Sequence, residues 1–172
     1  ASIEDLAIGR DHLYVLTVGR VFAIPLTDGP LHVEGSAPSP GGAQCCGRRL
    51  RLFAGANVLH AAHTRGYNTF DLTDPGKPKP IAVGTTPQFG WKQIAANGSG
   101  LGVAAVSPNQ AFDGPHNISL YDLSNPAIAP VFLTEFVTPG VARAVTIYNG
   151  LAYVADGAAG LQVINYRAYD RN

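Results

Sequence analysis

Five histidines and a scatter of acids are the residues with which chemistry would begin in this 172-residue chain. His60 and His63 stand three apart in Leu59-His60-Ala61-Ala62-His63-Thr64-Arg65. On a strand, residues three apart face opposite sides, so the two cannot chelate one ion without a bulge or turn. His63 aligns with Gly157 of the last repeat, which puts it in a hairpin loop where it can face a ligand. Arg143 and Asp156 are further titratable candidates for a pocket shared by several repeats. The third repeat carries an insertion, Ser107 to Asn117, in which Asp113 and His116 supply polar, titratable groups beside Phe112. Long loops on a rigid scaffold are where recognition residues concentrate. Asp113, His116, His63, Arg143 and Asp156 are therefore the candidate ligand-binding residues.

What is missing limits the chemistry further. No Ser/His/Asp order can be argued, no paired carboxylates stand out, and no Gly-rich phosphate loop precedes a helix. Cys45 and Cys46 are adjacent, so a disulfide network is excluded. Two loop thiols, a strained vicinal disulfide, and a redox or metal role all remain open, although no second Cys pair or nearby His completes a ligand set. No metal and no cofactor are expected.

The elements that must position these residues are strands. Apolar residues make up 46% of the chain and charged residues 14%, which is ample for a core. Twenty Gly and thirteen Pro suit many turns and disfavour long helices. The net charge is zero and no basic stripe is present, so nucleic acid is not expected as a partner. No apolar run approaches the roughly 18 residues of a membrane-spanning helix, so membrane insertion is not expected. The start, Ala1-Ser2-Ile3-Glu4-Asp5, has no signal-peptide pattern and there is no Met. The chain is expected to be processed, or to be a piece of something longer.

One signature recurs at the end of each β-rich run. It reads Ala23-Ile24-Pro25-Leu26-Thr27-Asp28, then Thr69-Phe70-Asp71-Leu72-Thr73-Asp74-Pro75, then Leu120-Tyr121-Asp122-Leu123-Ser124-Asn125-Pro126, then Val163-Ile164-Asn165-Tyr166. The steps between Pro25, Asp71, Asp122 and Asn165 are 46, 51 and 43 residues, the period of a four-stranded propeller blade. Within the last repeat, strands Ala144–Tyr148, Leu151–Ala155 and Leu161–Tyr166 are expected. Asn149-Gly150 between the first two is suited to a type I′ turn. Fourth, outer strands are expected at Leu31–Glu34, Pro80–Gly84 and Val131–Phe136, and the last repeat has none. The short polar side chains of Asp71, Asp122 and Asn165 are expected to accept backbone N–H groups of the following turn. Gly66 and Gly160 are expected to need positive φ.

These features give an all-β expectation: a β-propeller of about four four-stranded blades, part of a larger propeller. The blades fall near residues 1–36, 48–86, 91–137 and 141–172, with a linker at 37–47. A missing outer strand could come from an N-terminal segment or from residues beyond the chain. Trp91 is expected to pack between blades. Asn97-Gly98-Ser99 and Asn117-Ile118-Ser119 fit the glycosylation pattern, read here as coincidence.

The run Gly150-Leu151-Ala152-Tyr153-Val154-Ala155-Asp156-Gly157…Gly160-Leu161-Gln162-Val163-Ile164-Asn165 resembles the LVIVD repeat of bacterial and archaeal surface propellers. The second and third repeats match its later half, and the first departs at Pro25. The resemblance spans most of the chain, with its close match in the last repeat. It implies a propeller on a secreted or cell-surface protein and no particular reaction. The resulting expectation is a non-catalytic propeller module of the cell envelope or extracellular space, joined to further blades or domains, binding a protein or glycan partner. An envelope hydrolase or lyase with a central-channel pocket is the alternative, and a spacing or oligomerisation domain is a third reading.

Overall fold

In the computed structural model, residues 2–40, 50–55, 57–63, 66–85, 89–107, 116–125 and 131–170 are described. Every regular element among them is a strand, apart from two single 3₁₀ turns at Gly157–Ala159 and Arg167–Tyr169. The strands form four antiparallel sheets, and within each sheet strands follow one another in chain order. The chain divides into two compact units, Ala1–Gly84 and Thr85–Asn172.

The first unit holds two four-stranded sheets. The first comprises β1 (Ile3–Gly9), β2 (His12–Thr17), β3 (Gly19–Pro25) and β4 (Gly35–Ser39). The second comprises β5 (Arg51–Ala54), β6 (Val58–His63), β7 (Gly66–Asp71) and β8 (Lys79–Thr85). Alternation puts Tyr14, Leu16, Val21 and Ala23 on one face of the first sheet. That face packs on Leu52, Leu59, Ala61 and Phe70 of the second in one buried core. Polar ties reinforce the packing. The Tyr14 hydroxyl donates to the Pro75 carbonyl at 3.1 Å, and Asp5 accepts the Leu52 N–H at 2.9 Å while pairing with Arg51 at 3.2 Å.

The outer strand of the first sheet lies elsewhere than the residues suggest. Leu31–Glu34 is not a strand; β4 is Gly35–Ser39, reaching into the stretch read as linker. Pro38 is tolerated there because an edge strand leaves one side of its ladder unused. Gly35 sets the position, because a Cβ on it would run into the Gly76 carbonyl oxygen.

The second unit holds β9 (Phe89–Ala96), β10 (Leu101–Ser107), β11 (His116–Asp122) and β12 (Val131–Thr138) in one sheet. The other has three strands, β13 (Ala144–Tyr148), β14 (Leu151–Ala155) and β15 (Leu161–Asn165), as the last repeat led us to expect. Leu101, Val103, Ala105, Ile118 and Leu120 pack on Ala142, Val145, Ala152, Val154 and Tyr166. The Gln93 side chain accepts the Val145 N–H at 3.0 Å, and Lys92 donates to the Ala142 carbonyl at 2.6 Å.

The recurring turn residues do what their chemistry suggests. Asp71 Oδ1 accepts the Thr73 N–H at 2.8 Å, Asp122 Oδ1 that of Ser124 at 2.9 Å, and Asn165 Oδ1 that of Arg167 at 3.1 Å. The bonds to the Thr73 hydroxyl and N–H hold the Asp71 carboxyl below its ordinary range. Asn149 and Gly150 both have positive φ (49° and 76°), as a type I′ turn requires, and so do Gly66 and Gly160.

Candidate functional site

Of the residues singled out from the sequence, His63 belongs to the first unit, and His116, Arg143 and Asp156 to the second. His63 is not in a loop: it is the last residue of β6 and is buried. It shares a face with Leu59 and Ala61, near Ser39, Pro40, Leu50 and Asn68. His60 points to the opposite face, as the spacing requires, and is buried against Tyr67 in an edge-on contact with ring centroids 5.3 Å apart. Burial pushes its pKa down to about 4, so it is a neutral packing residue.

Arg143 and Asp156 share a hairpin but not a charge contact. Asp156 is fully buried; its Oδ2 accepts the Gly140 N–H at 2.8 Å, while Oδ1 has no hydrogen-bond partner. Arg143 is exposed and joins this turn through its backbone, its N–H donating to the Ala155 carbonyl at 2.8 Å. Asp156 thus organises the entry to β13. His116 opens β11, with its backbone paired to Thr138. Asp113 lies outside the described residues, as do Cys45 and Cys46 and the side chain of Trp91. Among the described residues no group of three or more His, Cys, Asp or Glu is placed to hold a metal ion.

A different cluster in the second unit does converge. The segment after β15 returns to the Asn97–Ser99 turn, where Asp170 receives the Asn97 amide on Oδ2 at 2.8 Å. The Ser99 hydroxyl lies 2.7 Å from Asp170 Oδ1 and 2.6 Å from Asn97 Oδ1, so its one proton is shared between two acceptors. Asn97 Oδ1 also accepts the N–H groups of Ser99 and Leu101. Burial, then the Asp170 charge, raises the pKa of the neighbouring Tyr166.

Ser99 and Asp170 of this network line a surface depression of about 130 Å³, together with Leu101, Asp122, Ser124, Leu133 and Tyr169. Asp122, Asp170, Ser99 and Ser124 line the depression together with the exposed Tyr169, whose ring meets Phe136 edge-on with centroids 6.1 Å apart. The volume is below the roughly 300–1,000 Å³ of pockets that enclose drug-sized ligands. A more open groove on the other side of Asp170 is lined by Asn97, Asn149 and Tyr166. The sequence does not reveal the cluster, because it joins residues more than seventy positions apart and its Asp122 reads as a turn residue. Asn97-Gly98-Ser99 was its one visible signal, and it proves to be an Asx turn.

No family model matches the chain, and no curated protein matches it. Among solved structures, the crystal structure of the computationally designed Ika4 protein is similar, with a TM-score of 0.67 at 11% identity. The match covers 96% of this chain and 91% of that one. At that identity the likeness concerns the fold alone, and the fold is all-β, built of consecutive antiparallel sheets.

Proposed function

We propose that the chain is a β-propeller module, each sheet one blade, acting as a non-catalytic scaffold that binds a glycan partner outside the cell. Three observations support the propeller: consecutive sheets in chain order, face-to-face packing of neighbouring sheets within each unit, and the recurring Asx turn. The extracellular setting rests on the resemblance to the LVIVD repeat. The depression around Tyr169 carries the binding reading. An aromatic ring offers a face for sugar C–H groups, and Asp122, Asp170, Ser99 and Ser124 offer the directional acceptors and donors that hydroxyls need. Asp156 fills a turn role, which weighs against the hydrolase reading.

A glycan array with the purified chain, followed by NMR titration with the best-bound oligosaccharide, tests the reading. Shifts centred on Ser99, Ser124 and Tyr169, lost in Tyr169→Ala, are expected. Asp122→Asn keeps the turn acceptor while removing the charge, and is expected to weaken binding without unfolding. Absence of glycan binding, or turnover of a glycan substrate, would overturn it.

A further inference from the structure

The dipeptide Asn-Gly occurs twice in the chain, at Asn97-Gly98 and Asn149-Gly150, both in the second unit. It carries a latent reaction, because glycine has no Cβ to hinder its nitrogen from reaching the preceding side-chain amide. The fold treats the two asparagines in opposite ways. Asn97 is held at both ends of its amide. Its Nδ2 donates to Asp170 Oδ2 at 2.8 Å, and its Oδ1 accepts the Ser99 N–H at 3.0 Å and the Leu101 N–H at 3.1 Å. Those bonds fix the plane of the amide, and rotation toward Gly98 breaks them.

Asn149 stands at the tip of the β13–β14 hairpin and is exposed. Among the described residues its side-chain amide makes no hydrogen bond, and the Gly150 N–H has no acceptor. What is held is the peptide group between them. The Arg167 guanidinium donates to the Asn149 carbonyl oxygen from Nε at 3.2 Å and from Nη2 at 2.8 Å. The Asx turn at Asn165 places that arginine, and its stem lies where a Cβ on Gly150 would stand. When the Gly150 nitrogen loses its proton, peptide resonance puts much of the negative charge on this same oxygen. Two charge-assisted donors already point at it, which is how a developing anion is stabilised.

We infer that Asn149 is a self-modification site, converting through a succinimide to aspartate and isoaspartate, with Arg167 assisting and Asn97 protected. Hydroxide takes the Gly150 amide proton, and the nitrogen attacks Asn149 Cγ. The Cγ–Nδ2 bond then breaks and ammonia leaves, taking its extra proton from water. Water opens the ring at either carbonyl, so the net change consumes water and releases ammonia with no redox step. Aspartate adds a negative charge to the groove that Asn149 shares with Asp170 and Tyr166. Isoaspartate lengthens the backbone by one carbon, which the tight turn between Tyr148 and Leu151 cannot absorb in register.

Peptide mapping by mass spectrometry of the whole folded chain, incubated in warm, mildly alkaline buffer, reads both sites in one sample. Because Asn97 must first break its hydrogen bonds, its loss is expected to be about tenfold or more slower than that of Asn149. The same incubation in guanidinium chloride should bring the two rates together, because the fold is what distinguishes them. Arg167→Leu should slow the loss at Asn149 several-fold, and Arg167→Lys should keep part of the acceleration, with circular dichroism as the control for folding. Equal rates in the folded chain, faster loss at Asn97, or two stable amides overturn the inference. A difference that persists in denaturant assigns the selectivity to flanking residues and overturns it too. An Arg167→Leu rate equal to or above that of the parent overturns the assistance by Arg167.

Discussion

His12 Nε2 lies 2.9 Å from Glu34 Oε2, while its Nδ1 lies 2.8 Å from Asp11 Oδ1, so one buried imidazole is held between two carboxylates. Burial alone would lower its pKa; the hydrogen bonds to Glu34 and Asp11 outweigh that and leave it raised. The Glu34 carboxylate in turn occupies the space a Cβ on Gly76 would need, tying the segment before β4 to the turn before β8.

A raised folded-state pKa means that the His12 pair contributes fully below the unfolded value near 6.5. The contribution is lost as pH rises through the higher folded value. Glu34→Gln is expected to cost about 1 kcal/mol below pH 6.5. That difference should vanish as pH rises through the folded value. Urea unfolding of both proteins across this range checks the sign, and a difference that grows with pH would refute it.

His60 should behave in the opposite sense. With a folded pKa of about 4, its neutral form stabilises above pH 6.5, and that stability is lost as pH falls toward 4. The limiting loss is about 3 kcal/mol. Histidine ring NMR should show one resonance titrating near 4 and another, from His12, above 6.5.

The Asx turns offer a test of structural against chemical roles. Asp122→Ala should cost about 1 kcal/mol by removing the acceptor of the Ser124 N–H. Asp122→Asn should be close to neutral, because its amide oxygen accepts the same bond. Thermal melts of the two variants distinguish an acceptor from a required charge.

Two glycines should respond differently to the same substitution. A Cβ on Gly140 would meet the Asp156 carbonyl, which is backbone and cannot swing aside, so Gly140→Ala is expected to cost about 1–3 kcal/mol. Gly98 has φ +83° with open space around it, so Gly98→Ala should carry only the left-handed cost of about 1–2 kcal/mol. Only the first should also disturb amide exchange at Gly140 and the start of β13.

Legibility of the sequence followed the range of the interactions. The Asp71, Asp122 and Asn165 turns and the Asn149-Gly150 hairpin were readable because each is decided within two to four residues. β4 was misplaced because Leu31-His32-Val33 alternates like a strand, whereas Gly35-Ser36-Ala37-Pro38-Ser39 carries turn residues. What fixes it is distant: Gly76 for its backbone and Arg20, whose guanidinium donates to Ser36 at 2.7 Å. His63 aligns with Gly157 of the last hairpin, yet β6 runs far enough to include it, so that alignment does not make it a loop residue. The Asp170 cluster was invisible, since nothing local marks an acid whose partners precede it by more than seventy residues.

The strand order also says something about time. Every described strand pairs only with its immediate predecessor or successor, so the ladder never waits for a residue not yet made. Non-local pairing is what slows β proteins, and here a nascent chain can complete each sheet as it leaves the ribosome. Within the last sheet, one tie does wait: the clasp between Asp156 and Gly140. The entry to β13 is fixed by a side chain translated sixteen residues later, so the last sheet secures its own beginning only after its second strand has been made.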